Sequence, residues 1–293
     1  MIRGIIPAMV TPLEDDTQKI SLKKTEKLVN HLIAQGVHGL FVLGTNGEFY
    51  AFSDDEKVAF VKAVLGYVDD RVPVFVGIGE CSTEQTIALG YRMKEAGAEY
   101  FTVITPYFMP VTQTELAKHY ESVADALQVP ILLYNIPSRT GMHIEKETVA
   151  RLAKHPYIAG IKDSSGKLEN ILGYLDAAKG EDFIVLSGSD GLILDALKAG
   201  GAGGVASTAN LLPEVLVSLF ESFEKGNLEK AAEKQEALQE LRKVMKYAST
   251  PAVLKRAMTL SGVDVGSARF PVEACDEKVE EEVRKMLKGY GKL

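Results

Sequence analysis

The sequence predicts an α/β protein of the (β/α)8 barrel class (a TIM barrel), followed by a C-terminal helical appendage. Short runs rich in β-branched residues alternate with longer amphipathic stretches, a pattern typical of parallel strands connected by crossover helices. Eight such units can be counted, and 293 residues are enough for one barrel of about 250 residues with a small addition. An open, doubly wound sheet is the alternative, and the count of eight favours the closed barrel.

The predicted strands are short and mostly apolar, as strands buried on both faces are. They span Ile5–Met9, Gly39–Leu43, Val72–Gly77, Tyr100–Ile104, Pro130–Asn135, Ile158–Lys162, Phe183–Gly188 and Gly204–Ser207. The predicted helices span Ser21–Gln35, Ser53–Val68, Ser82–Ala96, Gln113–Leu127, Lys146–His155, Leu168–Lys179, Gly191–Ala199 and Leu212–Glu224. Ser21, Ser53 and Ser82 are predicted N-caps because each precedes a polar first turn. The predicted C-terminal caps are glycines, which tolerate left-handed backbone: Gly36, Gly97 and Gly200.

After Glu224 the strand pattern stops, and residues 227–292 are predicted to be mostly helical, with breaks at 249–251 and near 270–271. We therefore predict a barrel catalytic domain over residues 1–224 and a helical domain over 225–293. Apolar side chains recur in the appendage at helical spacing, which favours a packing face over a cofactor site. The clearest such positions are Leu238, Leu241, Val244 and Met245.

Composition and charge argue against several classes of protein. Hydrophobic residues make up 46% of the chain and charged residues 25%, which argues against a disordered or fibrous protein. The net charge is −7 with both signs mixed along the chain, so no nucleic acid partner is expected. The apolar run 5–10 is interrupted by Pro7 and is too short for a signal peptide or a membrane span. We therefore expect a cytoplasmic protein with no membrane partner.

Cysteines and histidines give no sign of a metal or redox centre. Cys81 and Cys275 are far apart and form no CxxC pair, which argues against a disulfide scaffold. None of the five histidines is spaced to place two imidazoles on one helix face. We expect no catalytic metal.

Lys162 is the strongest candidate for a catalytic residue. Active sites of this fold lie at the C-terminal ends of the strands, and Lys162 ends the apolar strand that begins at Ile158. Its alternation partner, Gly160, leaves room for a long amine, and apolar surroundings would lower the pKa of that amine and make it a nucleophile. The alternative is a lysine at the rim, paired with Asp163 or a glutamate.

Two further features lie at neighbouring strand ends. Tyr134 ends the strand before the one that carries Lys162, and its phenol is suited to proton transfer, although a buried core tyrosine is the alternative. The Gly44–Gly47 turn offers backbone N–H groups for a carboxylate, although any tight turn also needs glycines. The GGAGG run at 200–204 precedes its strand and is therefore predicted to be a helix-to-strand turn rather than a phosphate loop.

The ordered motifs at these strand ends are familiar. They are GTNGE at 44–48, TPY at 105–107, YNIPSRTG at 134–141, GIKDSSG at 160–166, SGSD at 187–190 and ASTAN at 206–210. With these motifs the chain resembles, over almost its whole length, the dihydrodipicolinate synthase and N-acetylneuraminate lyase family of pyruvate-dependent class I aldolases.

The resemblance implies a Schiff base between Lys162 and pyruvate, with Tyr134 and Thr45 as proton-transfer groups. It further implies that Thr45 and the backbone at Asn46, within the turn formed by Gly44 and Gly47, bind the pyruvate carboxylate. The remaining implied substrate-binding residues are Arg139, Tyr107 and Val205. Arg139 would bind the carboxylate of aspartate semialdehyde, since a guanidinium suits that geometry.

The resemblance also sets expectations for the wider biology of the chain. The substrates would be pyruvate and an aldehyde, and no cofactor is needed beyond the covalent intermediate. A synthase of this family would act in lysine biosynthesis and form a homo-oligomer, either a dimer or a tetramer.

Two departures from the synthase pattern keep other functions open. Asn46 stands where the family usually has a second threonine, and an amide cannot relay a proton as a hydroxyl can. Phe108 stands near the position of a tyrosine that reaches the neighbouring subunit's site. The first alternative is an aldolase or dehydratase for 2-keto-3-deoxy sugar acids, or an N-acetylneuraminate lyase-like aldolase; GEF at 47–49 and SGSD at 187–190 resemble that branch, whereas Arg139 favours the synthase. The alternative of another class is a catalytically silent 2-oxo acid binding protein.

Overall fold

The computed structural model describes residues 2–293. Its strands are β1 (Gly4–Pro7), β2 (Leu40–Val42), β3 (Val74–Gly77), β4 (Tyr100–Ile104), β5 (Ile131–Asn135), β6 (Ile158–Asp163), β7 (Ile184–Ser187) and β8 (Gly203–Ala206). Its helices are α1 (Leu22–Ala34), α2 (Asp54–Val68), α3 (Thr83–Glu95), α4 (Gln113–Leu127), α5 (Pro137–Thr140), α6 (Lys146–Leu152), α7 (Leu168–Ala177), α8 (Ile193–Lys198), α9 (Pro213–Glu224), α10 (Leu228–Glu236), α11 (Gln239–Val244), α12 (Thr250–Leu260) and α13 (Glu277–Gly289). All eight predicted strands are present within about two residues of their predicted bounds.

The strands belong to one sheet with the order β1-β8-β7-β6-β5-β4-β3-β2. The pairings from β3 through β8 are parallel. The two strands at the ends of this order are also joined, because Ala8, which follows β1, forms a parallel bridge with Phe41 of β2. A sheet that pairs sequential neighbours in this way is the (β/α)8 fold, and the open doubly wound alternative is excluded.

Capping residues begin and end the helices as predicted. The Ser21 side chain accepts a hydrogen bond from the Lys24 N–H, and Ser53 forms a capping box with Glu56. Ser82 accepts from the Gln85 N–H in the same way. The glycines that follow α1, α3 and α8 have positive φ angles, which only glycine adopts at little cost: Gly36 (+81°), Gly97 (+99°) and Gly200 (+101°).

The chain divides into two compact units. The first unit comprises Pro73–Val205 with the residues up to Gly4, and the second comprises Ile5–Val72 with Ala206–Leu293. The predicted boundary between residues 1–224 and 225–293 lies inside the second unit and stays a prediction. The core of the first unit is centred on large buried side chains such as Phe75, Phe101 and Tyr120.

The appendage helices of the second unit pack through the predicted apolar face. Leu238, Leu241 and Val244 are buried, which confirms a packing role for that stripe. The Tyr290 hydroxyl of the segment after α13 donates to the Ala237 carbonyl at 2.6 Å. Among residues 2–293, no helix is both long and apolar enough to cross a membrane.

Candidate active site

The ends of β5 and β6 bring the two strongest candidate residues together. Tyr134 and Lys162 are register partners in these parallel strands, and both side chains are 4% exposed. The Lys162 Nζ lies 4.0 Å from the centroid of the Tyr134 ring, a distance at which an ammonium group is attracted to an aromatic face. A primary amine is thus held in a buried position directly above a phenol.

Asn135 and Asp163 are the next register pair along these strands, and their side chains form a buried polar network. The Asn135 amide donates to Asp163 Oδ1 at 2.6 Å and to the Tyr174 hydroxyl at 3.2 Å. The Ile144 N–H donates to Asn135 Oδ1 at 3.0 Å, and the Ser165 hydroxyl donates to Asp163 Oδ2 at 2.6 Å. Burial raises the pKa of Asp163, and the hydrogen bonds from Ser165 and Asn135 oppose that shift. The network fixes the ends of β5 and β6 to each other.

The space around Lys162 is provided by Gly188 rather than by Gly160, so the prediction made for Gly160 was wrong. A Cβ atom at Gly160 would lie 2.5 Å from Ile184 Cγ1 and 3.1 Å from Leu132 Cδ2, so that glycine allows β6 to pack against its neighbours. A Cβ atom at Gly188 would lie 2.9 Å from Lys162 Cε and would also overlap the Ser164 hydroxyl. Sequence reasoning missed Gly188, although the SGSD motif after β7 contains it.

The other candidates in the first unit have different surroundings. Arg139 is exposed on the four-residue helix α5, and Val205 is buried in β8. The Tyr107 hydroxyl donates to Glu80 Oε2 at 3.1 Å, and burial together with the Glu80 charge raises the pKa of Tyr107. Phe108 has a left-handed backbone, with φ of +77°, and its side chain is 90% exposed.

The 44–47 turn lies in the second unit, directly after β2. A Cβ atom at Gly44 would lie 2.6 Å from the Phe41 ring, and one at Gly47 would lie 3.2 Å from the Met9 carbonyl. Close packing therefore requires both glycines. The Asn46 amide donates to the Ser207 hydroxyl at 2.5 Å, so two of the sequence motifs, GTNGE and ASTAN, are directly hydrogen-bonded within this unit.

A buried ion pair beside this turn was not predicted from the sequence. Glu48 Oε1 lies 2.5 Å from Lys255 Nζ, and both side chains are fully buried. Burial lowers the pKa of Lys255, and the negative charge of Glu48 opposes that shift. The signal in the sequence was a lysine within the apolar run from Ala252 to Met258. Elsewhere in the described chain, no cluster of three or more histidine, cysteine or acidic side chains is arranged to hold a metal ion.

Comparison with known proteins decides the family. The profile of the dihydrodipicolinate synthetase family matches residues 1–290. The chain belongs to this family. It is 35% identical over 292 residues to the 4-hydroxy-tetrahydrodipicolinate synthase of Methanoculleus marisnigri, an alignment that covers 99% of this chain and all of the relative. The predicted family resemblance is confirmed.

Solved structures of the dihydrodipicolinate synthetase family share the fold from end to end. The dihydrodipicolinate synthase of Thermotoga maritima superposes with a TM-score of 0.95 at 35% identity and covers 100% of both chains. The enzyme of Acinetobacter baumannii, solved in complex with pyruvate, gives a TM-score of 0.95 at 31% identity with the same coverage. Family membership confirms the predicted enzyme class, a pyruvate-dependent class I lyase. The roles predicted for individual residues stay predictions.

Proposed function

We propose that this chain is a 4-hydroxy-tetrahydrodipicolinate synthase, which condenses pyruvate with aspartate semialdehyde through a Schiff base on Lys162. The observation that carries the proposal is the buried Lys162 amine, 4.0 Å from the centroid of the Tyr134 ring, in a family member 35% identical to named synthases. The sugar-acid alternatives are not favoured, because no relative described above is named for that activity.

The proposed reaction begins with attack of the Lys162 amine on the carbonyl carbon of pyruvate. Loss of water from the resulting carbinolamine gives an imine, and loss of a methyl proton gives an enamine whose carbon attacks the aldehyde. Tyr134 is the proposed proton carrier for these steps, because its ring lies against the amine and a phenol can both donate and accept. Thr45 is the proposed second hydroxyl of the relay.

The remaining residues are proposed to bind the two carboxylates. The Gly44–Gly47 turn, including the backbone at Asn46, is proposed to bind pyruvate, and Val205 to pack beside it. Arg139 is proposed to bind the carboxylate of the aldehyde, since its guanidinium is exposed on α5 and can form two parallel hydrogen bonds. Tyr107 is proposed to line the same substrate pocket.

Location, pathway and assembly are also proposed. We infer a cytoplasmic enzyme of lysine biosynthesis that works without a cofactor. We further infer a homo-oligomer, a dimer or a tetramer. The large apolar side chains of Phe108 and Met109, which are 90% and 66% exposed in the single chain, support an assembly that covers them.

Borohydride trapping tests the mechanism directly. Incubation with pyruvate and sodium borohydride is expected to add a pyruvate-derived group to Lys162, detected by peptide mass spectrometry. Lys162→Ala is expected to abolish both the adduct and pyruvate-dependent turnover while the chain stays folded by circular dichroism. Lys167→Ala, at an exposed lysine nearby in sequence, is the matched control and is expected to retain both.

Two results would contradict the proposal at different levels. An unmodified Lys162 in the folded wild-type protein would remove the Schiff base mechanism. A pyruvate adduct without turnover of aspartate semialdehyde, but with turnover of a sugar-derived aldehyde, would keep the mechanism and remove the synthase assignment.

A further inference from the structure

Glu48 and Lys255 form a fully buried ion pair that the proposed chemistry does not use. Their charged atoms are 2.5 Å apart, and neither side chain is exposed to solvent. Each group also has a backbone partner. The Arg269 N–H donates to Glu48 Oε2 at 2.7 Å, and Lys255 Nζ donates to the Ser267 carbonyl at 2.9 Å.

Such a pair is weak evidence of a contribution to stability. Removing two charges from water costs about as much free energy as their attraction returns, and well-packed apolar side chains would serve a core equally well. A buried pair can instead fix one arrangement of the chain, because any arrangement that separates the two groups leaves a charge buried and unpaired.

Glu48 is part of the 44–48 turn that holds the proposed pyruvate site. Its own N–H donates to the Thr45 carbonyl at 3.2 Å, which closes the turn. Its backbone is left-handed, with φ of +55°, an uncommon conformation for a residue with a side chain. On the other side of the turn, the Thr11 hydroxyl donates to the Gly47 carbonyl at 2.7 Å. The turn is thus held by the Thr11 side chain as well as by its own backbone hydrogen bond.

Lys255 and its partners belong to the C-terminal appendage. Lys255 lies on α12, and the segment from Val265 to Arg269 lies beside the turn. The Leu13 N–H donates to the Val265 carbonyl at 3.0 Å, and Arg269 pairs with Glu56 of α2 at 2.8 Å. The appendage therefore reaches the pyruvate turn through Lys255 and the Arg269 N–H, which both bind the Glu48 carboxylate.

We propose that Lys255 is a positioning residue: through Glu48 it holds the 44–48 turn in the conformation that binds the pyruvate carboxylate. The assignment gives the appendage a part in substrate binding although none of its side chains touches substrate. It rests on the proposed function, since it presumes that pyruvate binds at this turn. Lys162 belongs to the first unit and is not one of the residues that hold the turn.

The test measures how much pyruvate is needed to form the Lys162 adduct. Lys255→Met keeps the length of the side chain and removes its charge. The variant is expected to raise the half-saturating pyruvate concentration about 10-fold, since small displacements of a binding group have effects of this size. The amount of adduct at saturating pyruvate is expected to match that of the wild type, because the amine itself is unchanged.

A matched control separates positioning from general loss of an ion pair. Lys292 pairs with Glu214 at 2.9 Å in the same unit, at partly exposed positions. Lys292→Met is expected to leave the half-saturating concentration unchanged.

If Lys255→Met fails to fold, the double variant Glu48→Gln with Lys255→Met replaces it, because removing both charges leaves no unpaired charge in the core. The introduced amide oxygen would still accept from the Arg269 N–H, so a rise of about 3-fold is expected.

The half-saturating pyruvate concentration of the variant decides between a positioning role and a purely structural one. A raised half-saturating concentration in the folded variant supports the proposal. An unchanged concentration, in a variant that has only become less stable, overturns it and leaves a purely structural ion pair. Absence of an adduct in the wild-type protein would instead count against the proposed function itself.

Discussion

At the residue scale, Gly188 is the position where one added methyl group should act on the chemistry. A Cβ atom there would lie 2.9 Å from Lys162 Cε and would overlap the Ser164 hydroxyl, two side-chain groups that can move away, and its 3.1 Å approach to the Asp163 carbonyl oxygen requires only a small shift. Gly188→Ala should therefore fold, while the amine is displaced from its position above Tyr134. We expect the rate of borohydride-trapped adduct formation to fall about 10- to 100-fold, since ångström-scale misplacement has effects of this order.

Gly66 offers a control for this substitution. It lies on α2, and a Cβ atom there would meet nothing within 4 Å. Gly66→Ala should leave adduct formation unchanged and increase the free energy of unfolding by about 1 kcal/mol, because alanine is the better helix former. Equal rates for Gly188→Ala and Gly66→Ala would show that the amine does not depend on the space at Gly188.

At the element scale, the ends of β5 and β6 depend on Asn135. Its amide is buried and donates to the Asp163 carboxylate at 2.6 Å. In Asn135→Ala, the carboxylate loses this donor and the Ile144 N–H loses its acceptor. We expect the free energy of unfolding, measured by urea denaturation, to fall by about 3 kcal/mol, because hydrogen bonds to buried charged groups are worth more than neutral ones.

Asn30→Ala is the matched substitution at the surface. Asn30 is exposed on α1 and accepts a hydrogen bond from Arg71, so its loss should change the free energy of unfolding by less than about 0.5 kcal/mol. Similar losses for the two variants would mean that the network behind Lys162 does not hold the strands together.

Most strands and helices could be predicted from the sequence. Strands β1–β8 follow from alternation of apolar runs and helices, and the proximity of Tyr134 and Lys162 follows from their places at the ends of neighbouring strands. Helix α5 was not predicted, because the four residues of PSRT are too few to show a helical period. The single 3-10 turn at Phe49–Ala51 was not predicted for the same reason.

Contacts between distant parts of the chain could not be predicted from local sequence patterns. Lys255 pairs with Glu48 across most of the length of the chain, and nothing in the period of α12 indicates which acid it meets. The role of Gly188 depends on how far the Lys162 side chain reaches across to the end of β7. The pairing of Tyr134 with Lys162 on adjacent strands was predictable, whereas the acidic partner of Lys255 and the packing of Gly188 against Lys162 were not.

At the scale of the whole molecule, His119 should make stability depend on pH. Its ring is buried, with Nδ1 2.9 Å from the Thr83 hydroxyl, and Nε2 has no hydrogen-bond partner among the described residues. Burial lowers the pKa of His119 to about 4. The unfolded chain binds a proton at this residue below about pH 6.5, whereas the folded chain does so only near pH 4.

Protonation of His119 therefore favours unfolding. The stability that the neutral ring contributes is lost as the pH falls from about 6.5 to 4. Two pH units in this window correspond to about 3 kcal/mol. His119→Gln should be less acid-sensitive: between pH 7 and pH 4.5 its free energy of unfolding should fall by about 2–3 kcal/mol less than that of the wild type. His155→Gln is the control, because that ring is only half-buried and its Nε2 lies 3.1 Å from Asp125 Oδ1. Parallel pH profiles for wild type and His119→Gln would show that the buried ring does not carry the acid sensitivity.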